Sequence, residues 1–181
     1  MKLLSDMNEL FIKSAIQQFK DYKVLAEKTF AQLNDEDFYA QPDVANNNLA
    51  VNITHLHGNM LSRWTSFLTE DGEKEWRRRD VEFAAKRLER GHLMKLWEEG
   101  WQCLLNTLQS LQPGDLERTI TIRTKPLSVI EAIHRQLTHY AYHVGQIVFI
   151  GKHIRKDQWE SLSITKGGSN AFNEQLKSKT K

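Results

Sequence analysis

Four stretches of this chain carry apolar residues at the alternating three-and-four spacing of an amphipathic helix, each for roughly 20 to 30 residues. The first covers residues 5–33, with Leu10, Ile12, Ile16, Phe19, Leu25 and Phe30 on its stripe and Ser5 or Asp6 placed to cap its start. The second, 49–68, repeats Leu49, Ile53, Leu56, Met60, Trp64 and Phe67. The third, 84–111, carries Leu88, Leu93, Leu96, Trp97, Trp101, Leu104, Leu105 and Leu108 and ends at "QPGD". The fourth starts at Leu127 or Ser128, behind Pro126, and runs to about residue 156 with Ile130, Ile133, Leu137, Ala141, Val144 and Val148. Four such faces must be buried against one another, so the pattern predicts an all-α four-helix bundle, one domain over 1–181 with a tail from residue 157.

The connections refine this. "NDEDFYAQPDVANNN" (34–48) is rich in turn formers, and "TEDGEKEWRRRDVEF" (69–83) is dense in charge with Gly72 as a breaker. The second is too long for a tight turn and permits a crossover between parallel neighbours. "LERTITIRTKPLSV" alternates apolar and polar residues briefly, a short hairpin too small to found a sheet. The tail after residue 157 shows no period.

Composition narrows the function classes. Lys and Arg total 25 against 23 Asp and Glu, a formal charge of +2, which argues against nucleic acid as a partner. A single cysteine, Cys103, forbids an internal disulfide and reads as a small packed hydrophobe. The N-terminal residues are broken by Asp6, Glu9, Lys13 and Lys20, so no secretion signal is expected there. The longest charge-free run, 136–151, is shorter than the roughly 20 apolar residues of a membrane span. The expectation is a cytoplasmic protein without membrane contact.

Within that charge-free run, "HYAYHVGQIVFI" sets His139 and His143 one helical turn apart on one face, with Gln146 next along it. The absence of charge predicts that this helix is enclosed nearly all round, and enclosed imidazoles need partners. Beside the apolar stripe of the second helix runs a neutral polar row, Asn48, Asn52, His55, Asn59 and Ser62. A solvated face would recruit charged residues, so this row reads as the lining of a pocket or a polar seam. His57 falls nearer the apolar stripe and reads as a packed histidine, as do His92, His134 and His153 at structural or surface positions. Three histidines from two helices make an open metal site suited to zinc, nickel, iron or copper. Asn52, Asn59, Tyr142 and Gln146 are placed to orient the rings. Arg77, Arg78 or Arg79 could bind an anionic group, against a solvated loop knitted by Glu73, Asp80 and Glu82. No dedicated general base is evident near the histidines, and no catalytic residue is assigned.

"ITHLHGNM", with H-L-x-G-N at 55–59, followed by "HYAYHVGQIV", resembles the DinB-like superfamily of bacterial helical bundles, and "DGEKEWRRRDVEF" and "LSITKGGSNAFN" extend the resemblance to an uncharacterised branch of it. The resemblance implies an up-down-down-up bundle and a divalent metal (Zn, Ni or Fe) held by His55, His139 and His143. It also implies transfer of a low-molecular-weight thiol of the bacillithiol type to a small electrophile. Hydrolysis at the same metal, or a non-catalytic ligand-binding or structural bundle, is the alternative. A homodimer is expected.

Overall fold

The computed structural model describes residues 2–43, 45–84 and 87–179 and is mostly helical. Its long helices are α1 (Lys2–Phe30), α2 (Leu49–Trp64), α4 (Arg90–Ser110) and α5 (Val129–Arg155). A single turn, α3 (Arg79–Glu82), interrupts the long connection, and α6 (Ser169–Lys179) closes the described chain. The strands β1 (Thr119–Ile122) and β2 (Lys125–Ser128) form an antiparallel hairpin, pairing Ile120 with Leu127 and Ile122 with Lys125. Among the described residues no helix is long and apolar enough to cross a membrane.

Helix α2 packs along α4 and α1 along α5, and α1 also touches α4 while α2 touches α5. The four apolar faces thus close on one core. Phe19, Leu49, Ile53, Leu56, Met60, Trp64, Trp101, Leu104, Leu108, Ile133, Tyr140 and Val144 are all buried there. Each large side chain of this kind contributes about 1.5–3 kcal/mol on burial. Trp64 Nε1 donates to the Tyr140 hydroxyl at 3.0 Å, whereas the buried Trp101 Nε1 has no hydrogen-bond partner among the described residues. The helices approach closely where glycine allows it. A Cβ on Gly100 would lie 3.1 Å from Met60 Sδ and 3.3 Å from His57 Cα.

Several boundaries differ from the sequence expectation. Helix α1 begins at Lys2, so Ser5 and Asp6 lie inside it rather than capping it, and Leu10 is exposed while Ile12, Ala15 and Phe19 take the core. Helix α2 stops at Trp64, because Thr65 turns extended. The third long helix starts at Arg90 rather than at Ala84, since Glu89 is extended and Arg90 reaches back to the carbonyls of Leu33 (2.7 Å) and Phe30 (2.9 Å). Residues 85 and 86 of the expected span lie outside the described residues. Helix α5 starts where expected, with a reciprocal cap: Glu131 N donates to Ser128 Oγ (3.2 Å) and Ser128 N to Glu131 Oε2 (2.7 Å). The tail, which shows no period, nevertheless forms α6.

The segment from 65 to 83 is no loose crossover. Arg63, buried at the end of α2, donates to the Gly72 carbonyl and to Glu73 Oε2 (2.9 Å), and buried Lys74 pairs with Glu70 (2.7 Å). Gly72 N donates to Thr121 O of β1 at 2.8 Å. The hairpin turn places Arg123 and Thr124 at φ 54° and 64°, a region that L-residues disfavour. The Asp71 carboxylate compensates by accepting the backbone N–H of Arg123 and of Thr124, both at 2.8 Å, and of Glu73 at 2.7 Å. Burial pushes the Asp71 carboxyl up, but these three amides outweigh it and hold it at about 2. The connection is therefore stitched to α2 on one side and to the hairpin on the other. That fixes what it carries next, residues 77–83.

Candidate metal centre

The neutral polar row of α2 is buried along its whole length: Asn48, Asn52, His55, Asn59 and Ser62 all lose solvent. Asn48 caps the helix, its Oδ1 accepting from Val51 N at 2.9 Å. His55, one turn beyond Asn52, faces His139 and His143 of α5.

The three imidazoles converge through the same atom. His139 Nε2 lies 3.1 Å from His143 Nε2 and 3.5 Å from His55 Nε2, and one nitrogen from each ring falls within 4.8 Å of the others. Three imidazoles at about 2.0–2.1 Å from a tetrahedral zinc would have their nitrogens about 3.3 Å apart, and the two spacings from His139 fit a cation of that kind.

Two rings are oriented from behind. His55 Nδ1 donates to Glu82 Oε2 at 2.9 Å. His143 Nδ1 donates to Asn52 Oδ1 at 2.9 Å and faces Gln146 Oε1 at 3.1 Å. With a hydrogen on each Nδ1, both Nε2 atoms turn a lone pair toward the centre, the tautomer that metal ligation needs. His139 Nδ1 is buried and finds no hydrogen-bond partner among the described residues. Burial first, then the neighbouring histidines, push His139 down to about 3; burial and His55 push His143 down to about 4. Both rings are neutral at physiological pH, and a cation at the centre would meet lone pairs rather than protons.

Glu82 is the functional residue that sequence reasoning missed. Its side chain is only 10% exposed, and Arg77, buried behind it, donates Nε to Oε1 (2.8 Å) and Nη2 to Oε2 (2.9 Å). Burial alone would raise this carboxyl, but hydrogen bonds from His55 and Arg77 and the Arg77 charge leave it below its ordinary value. It stays an anion, so it orients His55 and does not take up a proton. Thr54 Oγ1 holds the Glu82 carbonyl at 2.8 Å, and the Phe83 ring lies on His55 at 4.9 Å between centroids. The expected solvated loop holds at Arg78, Arg79 and Asp80, which are exposed, and is corrected at Arg77 and Glu82, which pair with each other against α2.

The sequence did hold one signal for this contact, Gly58 inside H-L-x-G-N. A mid-helix glycine costs about 1 kcal/mol relative to alanine and calls for a reason. The reason is space: a Cβ there would overlap Glu82 Oε1 outright and lie 2.7 Å from its Cδ.

The other expected residues divide. Asn52 and Gln146 touch His143 as described, and Tyr142 lies edge-on to His143 at 5.0 Å while remaining 62% exposed. Asn59 shares the cavity with the three rings but its hydrogen bonds among the described residues go elsewhere. Its Oδ1 accepts from Gln136 Nε2 (2.7 Å) and Tyr140 OH (3.1 Å) in a buried knot beneath them. His57 faces α4, its Nε2 on Glu99 at 3.0 Å, and His92, His134 and His153 are exposed. Cys103 is half-buried, and burial raises its thiol. The expected enclosure of the uncharged α5 run fails on one side, where Tyr142, Gly145 and Phe149 face solvent. There they line an apolar hollow of about 300 Å³ with Pro42 and Ile150.

The histidine cluster opens into a second cavity of about 430 Å³, large enough for a small molecule. Its wall includes Arg63, Arg77, Arg79, Arg123 and Arg135, of which the sequence reading named Arg77 and Arg79.

Residues 6–168 match a family described as a protein of unknown function, DUF1572, and the chain belongs to that family. No curated protein matches the chain.

Proposed function

We propose that this member of the DUF1572 family is a metal-dependent enzyme of the DinB-like superfamily, holding a divalent cation through His55, His139 and His143. The reaction we assign to it is transfer of a low-molecular-weight thiol to a small electrophile. The observation that carries this reading is the convergence of the three Nε2 atoms, with Glu82, Asn52 and Gln146 fixing two of the rings from behind. The pairing of α1 with α5 and of α2 with α4 supports a four-helix bundle, up-down-down-up, as one domain.

A divalent cation held by three imidazoles leaves a coordination position free, and there it would lower the pKa of a thiol or water that reaches it. The chain's own residues do the rest. Glu82, held by Arg77, keeps the His55 ring in its Nδ1–H tautomer. Asn52 and Gln146 do the same for His143. The Asn59, Gln136 and Tyr140 hydrogen-bonded knot ties α2 to α5 next to the rings. Among the described residues no acidic side chain lines the cavity, so a thiol substrate arrives without competition from a carboxylate of that lining for the cation.

The test is a thiol-conjugation assay with a chromogenic electrophile and a panel of low-molecular-weight thiols, run with and without a chelator. Turnover that a chelator abolishes, that metal restores and that His143→Ala lacks is the expected result. Chelator-sensitive hydrolysis of ester substrates with no thiol transfer would move the assignment to a hydrolase. Turnover indifferent to chelator would refute the metal-dependent reading.

A further inference from the structure

The wall of the cavity over the three histidines is unbalanced in charge. Among the described residues five guanidinium groups line it, from Arg63, Arg77, Arg79, Arg123 and Arg135, and no carboxylate does. Two glutamates behind the wall compensate part of this: Glu82 takes Arg77, and Glu73 takes both Arg63 and Arg123 at 2.9 Å each. Arg79 and Arg135 have no carboxylate partner among the described residues. Both are exposed, and Arg79 is held in place by stacking over the Phe83 ring, 4.9 Å from its centroid, the same ring that rests on His55. Deeper in, Arg63 is 95% buried, yet its Nε has no hydrogen-bond acceptor among the described residues. Buried guanidinium donors without acceptors are costly unless something anionic completes them.

From these residues we propose that the molecule bound beside the three histidines is a small oxyanion, bearing a carboxylate or a phosphate group that Arg79 and Arg135, both lining the cavity, hold. Arg79 comes from the crossover and Arg135 from α5, one turn before His139, so a group held between them lies next to the histidine cluster. Guanidinium suits this task because its planar fork matches the two oxygens of a carboxylate or phosphate. Arg77 is left out of the clamp, since its Nε and Nη2 donate to Glu82 and its charge is paired there. Arg123, half engaged with Glu73, adds charge at the rim. The inference rests on the metal-dependent reading for its chemistry and on the arginines alone for its binding.

Calorimetric titration of the purified protein with orthophosphate and, in a second arm, with succinate at low ionic strength tests this. Wild type, Arg79→Gln, Arg135→Gln and the double variant are compared with Lys13→Gln, which removes one charge from the exposed face of α1. Each single clamp variant is expected to bind about tenfold more weakly, and the double variant weaker still, with metal content unchanged, because each removes a charge-assisted contact. Lys13→Gln should bind like wild type. The preferred arm identifies the group, phosphate or carboxylate. Wild-type affinity in both clamp variants, an equal loss in Lys13→Gln, or no binding of either anion by protein that holds metal would overturn the anion site and leave the metal reading standing. Binding lost in the clamp variants of a protein that takes up no metal would uphold the anion site and overturn the metal reading instead.

Discussion

Gly58→Ala isolates the contact on which the His55 geometry depends. In an ordinary helix interior this change stabilises by about 1 kcal/mol, through backbone entropy. Here the added methyl overlaps Glu82 Oε1 and sits 2.7 Å from Cδ and 3.3 Å from Cγ, so the carboxylate must leave its place. It would then lose Arg77 and His55 together. Removing one partner of a buried ion pair costs about 3–5 kcal/mol; displacing a side chain that retains some freedom costs less, about 2–3 kcal/mol, leaving a net loss of about 1–2 kcal/mol after the helix gain. For a chain of this size that lowers Tm by about 2–8 °C. Loss of the carboxylate behind a ligating histidine should also weaken metal binding about 10- to 100-fold. The internal control is Gly145→Ala in α5, where nothing lies within 4 Å of the new Cβ and Tm should rise by about 1–4 °C. Thermal denaturation of both variants and metal titration against a chromophoric chelator read these effects. A Gly58→Ala protein that gains stability like Gly145→Ala and keeps wild-type metal affinity would refute the reasoning.

Further outcomes follow from the same contacts. Because burial depresses His143 to about 4 and His139 to about 3, the unfolded chain, with ordinary histidines near 6.5, binds more protons than the folded one in that window. The stability of metal-free protein is therefore full above about pH 6.5 and falls as pH drops through the range toward 4; urea titrations giving equal stability at pH 7 and pH 5 would contradict this. Asn52→Ala leaves His143 Nδ1 with Gln146 alone, so metal affinity should fall about tenfold, and much further in the Asn52→Ala, Gln146→Ala double variant. Additive losses in a metal titration would show that the two amides do not share the ring. Asp71→Ala strips three backbone amides of their acceptor at a part-exposed site and should cost about 1–2 kcal/mol, partly recovered by Thr124→Gly at its positive φ. Chemical denaturation with no recovery in the double variant would refute that coupling.

The three histidines were legible in the sequence because each signal is local. His139 and His143 sit at one-turn spacing, and His55 stands in a neutral polar row that a solvated helix would not keep. The apolar stripe of α2 predicted its buried face residue by residue, and the hairpin was announced by alternation over four positions. Glu82 was not legible, since it reaches His55 across 27 residues from an irregular segment whose composition reads as solvated charge. What places it is long-range stitching, Asp71 to the hairpin and Arg63 to Gly72, and no periodicity encodes that. The same holds for Arg135, an exposed arginine on α5 that gains meaning only beside Arg79 from another segment. The uncharged run on α5 misled in the opposite sense: Tyr142 and Phe149 are apolar and exposed because they line a hollow rather than a core.

The central claim is that His55, and not His57, completes a metal centre with His139 and His143. Elemental analysis of the natively purified protein beside its His55→Ala and His57→Ala variants tests it most directly. About one equivalent of a divalent transition metal per chain is predicted in the wild type and in His57→Ala, and none in His55→Ala. Wild-type protein that carries no metal and takes none up, or metal retained in full by His55→Ala, would contradict it.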